Sequence, residues 1–405
     1  MADNKLSVPI ISKIFLILLI ASININAPNF FMTKEIFFLL LIFSSFMHGD
    51  YSKISSLILM LTIYLISLSY NITVPGSNLT IDNGLTNILG MLYLFLLVYN
   101  RQEYSNTIIK AYLYSSLVTS FIILIVWTAC YYSAEIKNAL IIYFESIEND
   151  KVAFIFMIRE RKILDWWLPS VYYGTAPCIV PSLGYCLAQK LHNTSIKYTI
   201  ISIIFFITLI LTGARANMLS AIILIFLYIG IKLHISQHRL SSASFTVTTF
   251  AVIIYLSAAF LGDKEESSLQ IKILHQMSYQ IEFDSDLIRT IFFGWGGGST
   301  FFALAYNDYV NLTELSLQET IRRYGIISTL MIFIFIWLKP LSQILNRPAN
   351  ISVKYLGVAL IAYIFVASTN PFLLGSIGFA ALLFFSVAME HDAFRPQKIT
   401  EQDNC

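Results

Sequence analysis

Charge is what this sequence has least of. Lys, Arg, Asp and Glu make up 12% of 405 residues, against 57% hydrophobic, where a soluble domain carries roughly 25% charged residues. That scarcity excludes an ordinary soluble domain and leaves a polytopic membrane protein. The net charge is only +2, so the basic surface that nucleic acid requires is absent and no nucleic-acid partner is expected. Cysteine is scarce too. Cys130, Cys178, Cys186 and Cys405 show no CxxC spacing, which argues for packing rather than a disulfide framework or a thiolate metal site. Among the histidines, only His275 falls on the face where the polar residues collect, and no HExxH or DxD cluster occurs. Asp284 with Asp286 is too little for a metal site, so no metal or other cofactor is expected. The first apolar stretch lacks a small-residue cleavage site and reads as a retained helix.

What the chain has instead is long apolar runs. A bilayer core takes about 20 apolar residues as helix. Twelve candidate spans follow, at 8–26, 30–48, 54–73, 85–99, 108–132, 168–189, 197–212, 216–233, 243–261, 324–338, 355–369 and 373–389. Several are short or polar, so the range is ten to twelve. The expected fold class is an all-α integral membrane protein, with residues 1–405 forming a single polytopic membrane domain. With the N-terminus inside, the inner segments hold Lys5, Lys13, Lys53, Arg101, Lys110, Lys190, Lys197, Lys232, Arg239, Lys339, Arg347, Lys354, Arg395 and Lys398. The short outer loops have no cation except Lys34 at a helix start. This is the positive-inside pattern, and it puts both termini in the cytoplasm, with 390–405 as a cytoplasmic tail.

Two long outer segments, 133–167 and 262–320, break that pattern, together with the turn at Arg215. Long segments translocate regardless of charge, but arginines at helix ends are different. In "LTGARANML" (211–219), Gly213, Ala214 and Ala216 surround Arg215 at the N-terminal end of the following helix. Free N–H groups and the positive dipole end already favour an anion there, and a guanidinium fork suits phosphate. The alternative is a snorkelling side chain or a carboxylate pair. In "MIRERKILDWWLPSVYYGTAP" (157–177), Arg159, Arg161 and Lys162 precede Trp166, Trp167, Tyr172 and Tyr173. These aromatics suit either an interfacial belt or stacking against sugar rings.

In "RTIFFGWGGGSTFF" (289–302), four glycines within five positions follow Arg289 and surround Trp295. The run looks like a phosphate cradle but lacks the P-loop lysine, and a turn folding the loop onto the membrane is the alternative. In "LTELSLQETIRRYGII" (312–327), Glu314, Gln318, Arg322 and Gly325 share one helical face. Glu319, Arg322 and Arg323 lie three or four apart and could simply pair. The functional reading is a carboxylate base beside guanidinium groups, as inverting glycosyl transfer from a diphosphate needs.

In order and spacing these patches resemble the O-antigen ligase and polymerase superfamily of bacterial inner-membrane glycosyltransferases. The likeness covers the topology and three patches: "LTGARA", the basic "RERKILDWW", and the loop running from "FFGWGGG" to "ELSLQETIRRYG". The ligase branch carries a His-Asn pair where this chain has Glu314-Leu315, which favours the polymerase branch. The resemblance implies that 133–167 and 262–320 are periplasmic loops. It implies two undecaprenyl-diphosphate-linked glycans as donor and acceptor at the periplasmic face of the bilayer, with a chain-length regulator and a flippase as companions. On this reading Arg215, with Arg159, Arg161 or Arg289, holds the donor diphosphate. Arg322 and Arg323 stabilise the leaving group or orient the base, which is Glu314 with Glu319 in reserve. Trp166, Trp167, Tyr172 and Trp295 contact glycan. Ligation of finished polymer to a lipid core is the alternative within the superfamily. A lipid-linked oligosaccharide flippase is disfavoured, because charge gathers at one face instead of lining a path through the bilayer.

Overall fold

The computed structural model describes residues 10–25, 33–47, 54–73, 96, 102–148, 156–163, 166–192, 195–235, 266–296, 298–310, 313, 315–346, 350–368 and 375–390. The expected spans at 85–99 and 243–261 fall almost wholly outside these residues. The described chain is mostly helical, 85%. The helices are α1 (Ile10–Ile25), α2 (Thr33–Met47), α3 (Ile54–Thr73), α4 (Gln102–Tyr132), α5 (Ala134–Glu148), α6 (Ile179–His192), α7 (Ile196–Leu211), α8 (Arg215–Ile235), α9 (Glu266–Ser285), α10 (Ser316–Asn346), α11 (Ile351–Ser368) and α12 (Ser376–Glu390). Among the described residues, three stretches are long and apolar enough to cross a membrane: Glu103–Tyr132, Arg215–Leu233 and Ile351–Ser368. Helices α1, α7 and α12 are apolar but shorter.

The chain is not purely helical. Strands β1 (Phe156–Ile163) and β2 (Trp166–Tyr173) form an antiparallel hairpin, and β3 (Phe301–Ala303) pairs with β4 (Asp308–Val310). The span expected at 168–189 is therefore divided between β2 and α6. Pro169 explains part of this, since it has no amide to give a helix and stands here opposite Glu160 in the hairpin. Pro181 is tolerated because it lies in the first turn of α6, where no intrahelical partner is needed. The two outer segments expected as loops contain α5, β1, α9 and the β3–β4 hairpin.

The core is built around α6. It is buried on nearly every side and touches α4, α7, α8, α11 and α12. In lipid, apolar burial alone does not drive helices together, so close approach of backbones and interhelical hydrogen bonds carry the packing. Gly184 of α6 faces Ala359 of α11 so closely that an added Cβ would overlap the alanine methyl. Ser352 donates to the Ala188 carbonyl at 3.1 Å and Tyr355 to the Leu224 carbonyl at 2.5 Å. Outward-facing residues of the surrounding helices are large and apolar, such as Ile125 and Ile361, as contact with hydrocarbon requires.

Hydrogen bonds fix the directions of the helices. Asn24, at the end of α1, donates to Ser115 in the middle of α4 (2.8 Å). Trp127 near the end of α4 donates to the Pro169 carbonyl (2.6 Å). The β1–β2 hairpin thus sits over the C-terminal ends of α1 and α4. Ser220 of α8 reaches Ala362 of α11, while Leu224 meets Tyr355. These two helices are antiparallel, so the start of α8 lies level with the end of α11. Ser316, the first residue of α10, donates to Ala367 at that same end (2.9 Å).

The Gly184 contact gives a direct test. Gly184→Ala should force α6 and α11 apart and lower the thermal unfolding midpoint in detergent, at an overpacking cost of about 1–3 kcal/mol. Adding Ala359→Gly should restore most of the loss. An unchanged midpoint in Gly184→Ala contradicts this packing.

Candidate functional site

The helix that begins at Ser316 is broken at Gly325, whose φ of 77° and ψ of 165° are not helical. The short piece before the break carries Glu319, Arg322, Arg323 and Tyr324. At the break the chain 292–294 crosses the chain 323–325 backbone to backbone. A Cβ on Gly294 would come within 2.5 Å of the Arg323 carbonyl oxygen, and one on Gly325 within 2.7 Å of the Phe292 carbonyl carbon. Both glycines also have φ near +70°, a region that L side chains avoid. The crossing therefore demands glycine on both strands.

Hydrogen bonds lock the crossing. The amides of Trp295 and Gly296 donate to the carbonyls of Arg322 (2.6 Å) and Arg323 (3.2 Å). From α3, the Ser67 hydroxyl donates to the carbonyls of Phe293 (2.6 Å) and Arg323 (3.0 Å), and Asn71 donates to the Gly294 carbonyl (2.9 Å). Two of the loop amides expected to cradle phosphate are thus turned to protein carbonyls. The glycine run works as a backbone clasp.

Under the clasp lies an ion cluster. Arg322 is wholly buried, the largest such side chain among the described residues. Its Nη2 and Nε donate to the two Glu319 carboxylate oxygens (2.8 and 3.0 Å), and Nη1 donates to the Ser299 hydroxyl (2.6 Å). Its guanidinium stacks 4.6 Å from the Phe301 ring centroid. Glu319 also accepts from Arg323 Nε (2.5 Å) and from the Tyr279 hydroxyl (2.7 Å), which in turn meets Thr313 (2.7 Å). Burial alone would raise the Glu319 pKa, but Arg322 and Arg323 outweigh it and hold the carboxyl below the ordinary range. Simple pairing, the alternative reading of the sequence, is therefore what Glu319 does. Its lone pairs are all engaged, so it makes a poor reserve base. Arg322 is sealed away from any leaving group.

Beside this cluster stands Arg289, at the start of a π-helical turn (Arg289–Phe293) closed by the Gly294 amide on the Arg289 carbonyl at 2.6 Å. Such turns recur at functional sites. Arg289 is only 7% exposed. Among the described residues its guanidinium makes no hydrogen bond, and its one ion pair, Nε to Asp286 Oδ2, is long at 3.5 Å. Buried guanidinium groups are ordinarily hydrogen-bonded. Glu282, on α9 one helical stretch earlier, is half-buried. Burial raises its pKa above 4.5, and the charge of Glu319 adds to the rise, against the opposing pull of Arg322 and Arg289.

Of the other sequence candidates, Arg215 is the first helical residue of α8. Its side chain is half-buried and makes no hydrogen bond or ion pair among the described residues. Gly213 takes the positive φ that turns the chain into α8, and Thr212 accepts from the Ala214 amide (3.4 Å). Trp295 packs beside Phe283, ring centroids 6.1 Å apart. Arg159 is exposed and Tyr172 half-buried on the β1–β2 hairpin, at the end of the bundle where α7 leads into α8. Glu314 lies outside the described residues, as do the side chains of Arg161, Trp166 and Trp167. Glu282 escaped the sequence reading, although Tyr279, Glu282, Asp286 and Arg289 recur at spacings of three and four, one polar stripe along a helix. No protein-family profile, no curated protein and no solved structure matches the chain.

The clasp and cluster set two stability expectations. Gly294→Ala and Gly325→Ala should each lower the unfolding midpoint, with strain alone costing about 1–3 kcal/mol. The double variant should fall short of the sum, because both act on one crossing. Glu319→Gln should cost about 3–5 kcal/mol by leaving buried guanidinium charge uncompensated. Because the native pKa is depressed, the contribution of Glu319 is present above about pH 4.5 and lost as pH falls through the lower native value. Thermal unfolding across the acid range should show this dependence in the wild type and lose it in Glu319→Gln.

Proposed function

We propose that this protein is an inverting membrane glycosyltransferase of the O-antigen polymerase kind. It joins undecaprenyl-diphosphate-linked oligosaccharide repeat units at the periplasmic face of the inner membrane. The observation that carries the reading is Arg289: a guanidinium in a nearly closed site, without a hydrogen bond, near a carboxyl, Glu282, whose pKa burial raises. A buried cation whose one partner is a long ion pair to Asp286 is poised for an anion, and the neighbouring carboxyl is poised for proton transfer. Their setting at one end of an apolar helix bundle supports an anion presented on a membrane lipid.

In the proposed step a hydroxyl of the acceptor glycan attacks the anomeric carbon of the donor sugar. The new glycosidic C–O bond forms as the bond from that carbon to the diphosphate breaks, with inversion. Glu282, ionised before the step, takes the hydroxyl proton. Arg289 takes the charge that develops on the leaving lipid diphosphate, and Arg215, at a helix N-terminus, supplies a second anion contact. Glu319 and Arg322 are positioning residues: they fix the short helix and the clasp against which α9 carries Glu282. Tyr172 offers an aromatic face for glycan, whereas Trp295 is buried and takes no part in it. Glu314 is the competing proton acceptor.

The test uses purified protein in lipid vesicles with a lipid-diphosphate oligosaccharide, following chain extension on a gel. Glu282→Gln should lower turnover by about 10²–10⁴. The wild-type rate should fall as pH drops through a pKa above 4.5, the protonated carboxyl being unable to accept. Arg289→Ala should cost about 10²–10³, with partial recovery in Arg289→Lys. Wild-type turnover and an unchanged pH profile in Glu282→Gln, with loss in Glu314→Gln instead, would transfer the base to Glu314. Full activity in Arg289→Ala would overturn the anion site.

A further inference from the structure

A second site lies at the opposite end of α4 from the β1–β2 hairpin. Lys110 is seventeen residues before Trp127, about 26 Å along the helix. Two grooves flank it. One, of about 410 Å³, runs between α1 and α4 from Asn106 and Lys110 to Ile25 and Val118. The other, of about 150 Å³, runs between α4 and α7 from Lys110 and Lys197 to Leu117 and Ile201. Asn106, Lys110 and Tyr114 border both, so α4 forms a ridge with a groove on each side. Each groove is polar at the Lys110 end and mostly apolar along the rest, with Ser115 in the larger one.

The charge at the polar end is concentrated. Lys197 Nζ stands 5.9 Å from the Tyr114 ring centroid, one helical turn from Lys110, so two ammonium groups serve the same ridge. Neither has a carboxylate partner among the described residues. From residue 106 to residue 118 the larger groove spans about 18 Å, a little more than one leaflet of a hydrocarbon core about 30 Å thick. At about 46 Å, α4 is longer than that core, so its N-terminal turns reach the headgroup region.

We propose that this ridge binds one diacyl phospholipid with an anionic headgroup. Its phosphate lies between Lys110 and Lys197, and one acyl chain lies in each groove. Two grooves meeting at one basic point fit a two-chain lipid, whereas a single-chain lipid leaves one groove empty. A zwitterionic headgroup brings its own ammonium towards two lysines and is disfavoured. The site is independent of the reaction proposed above.

The test incubates the full-length protein in detergent with equal amounts of phosphatidylglycerol and phosphatidylcholine of the same acyl chains. Retained lipid is read by native mass spectrometry. The wild type should retain phosphatidylglycerol about thirtyfold over phosphatidylcholine, the scale expected of two lysines near an anionic headgroup. It should also retain the diacyl form over its single-chain lyso form. The double variant Lys110→Ala, Lys197→Ala should lose the headgroup preference with an unchanged unfolding midpoint. Ala21→Trp, which fills the larger groove from α1, should abolish the preference for two chains while sparing that for the headgroup. Equal retention of the two headgroups by the wild type would overturn the proposal. So would an unchanged preference in the lysine variant, which would mean that the lysines only snorkel, or equal retention of lyso and diacyl forms.

Discussion

The candidate site depends on one buried ion pair. Glu319 and Arg322 face each other out of water, where two bare charges would each cost several kcal/mol. They persist because every lone pair and nearly every donor is met: Tyr279, Arg323, Ser299 and the Phe301 ring complete the shell. Those partners come from α9, the 299–301 segment and α10 itself. A single pair therefore fixes the relative placement of elements that are distant in sequence. The glycine crossing at 294 and 325 depends on the same placement, since the carbonyls it clasps belong to Arg322 and Arg323.

This arrangement separates two kinds of arginine. Arg322 and Arg323 are engaged by a carboxylate, and they hold the local fold. The guanidinium groups of Arg289 and Arg215 have no hydrogen bond among the described residues, and in the proposed function they are the cations that meet an outside anion. The apolar helix core built on α6 and α11 gives these groups a rigid base. Small residues and hydroxyl-to-carbonyl bonds carry that packing where hydrophobic burial has little force.

Much of the helical frame was legible in the sequence. The span 54–73 coincides with α3, and those at 8–26, 30–48, 197–212, 216–233, 355–369 and 373–389 match their helices to within a few residues. The β1–β2 hairpin was not legible as such, because a short apolar run such as "WWLPSVYY" reads equally as strand or buried helix. The glycines of 294–298 announced a special backbone, but not that their partner was Gly325. Pairing across 31 residues leaves no local signal. Glu319 with Arg322 was visible at helical spacing, yet only burial shows that the pair is sealed. Glu282 was readable as part of the Tyr279–Arg289 stripe, and was obscured by the nearer attraction of Glu314.

The measurement that bears most directly on the central claim is lipopolysaccharide banding on a gel after deletion of the gene in its source organism. The ladder should be lost while core carrying a single repeat unit persists, and the wild-type gene should restore it. An intact ladder would contradict the claim. Complete loss of core-attached sugar with accumulation of long lipid-linked polymer would also contradict it, and would point to ligation instead.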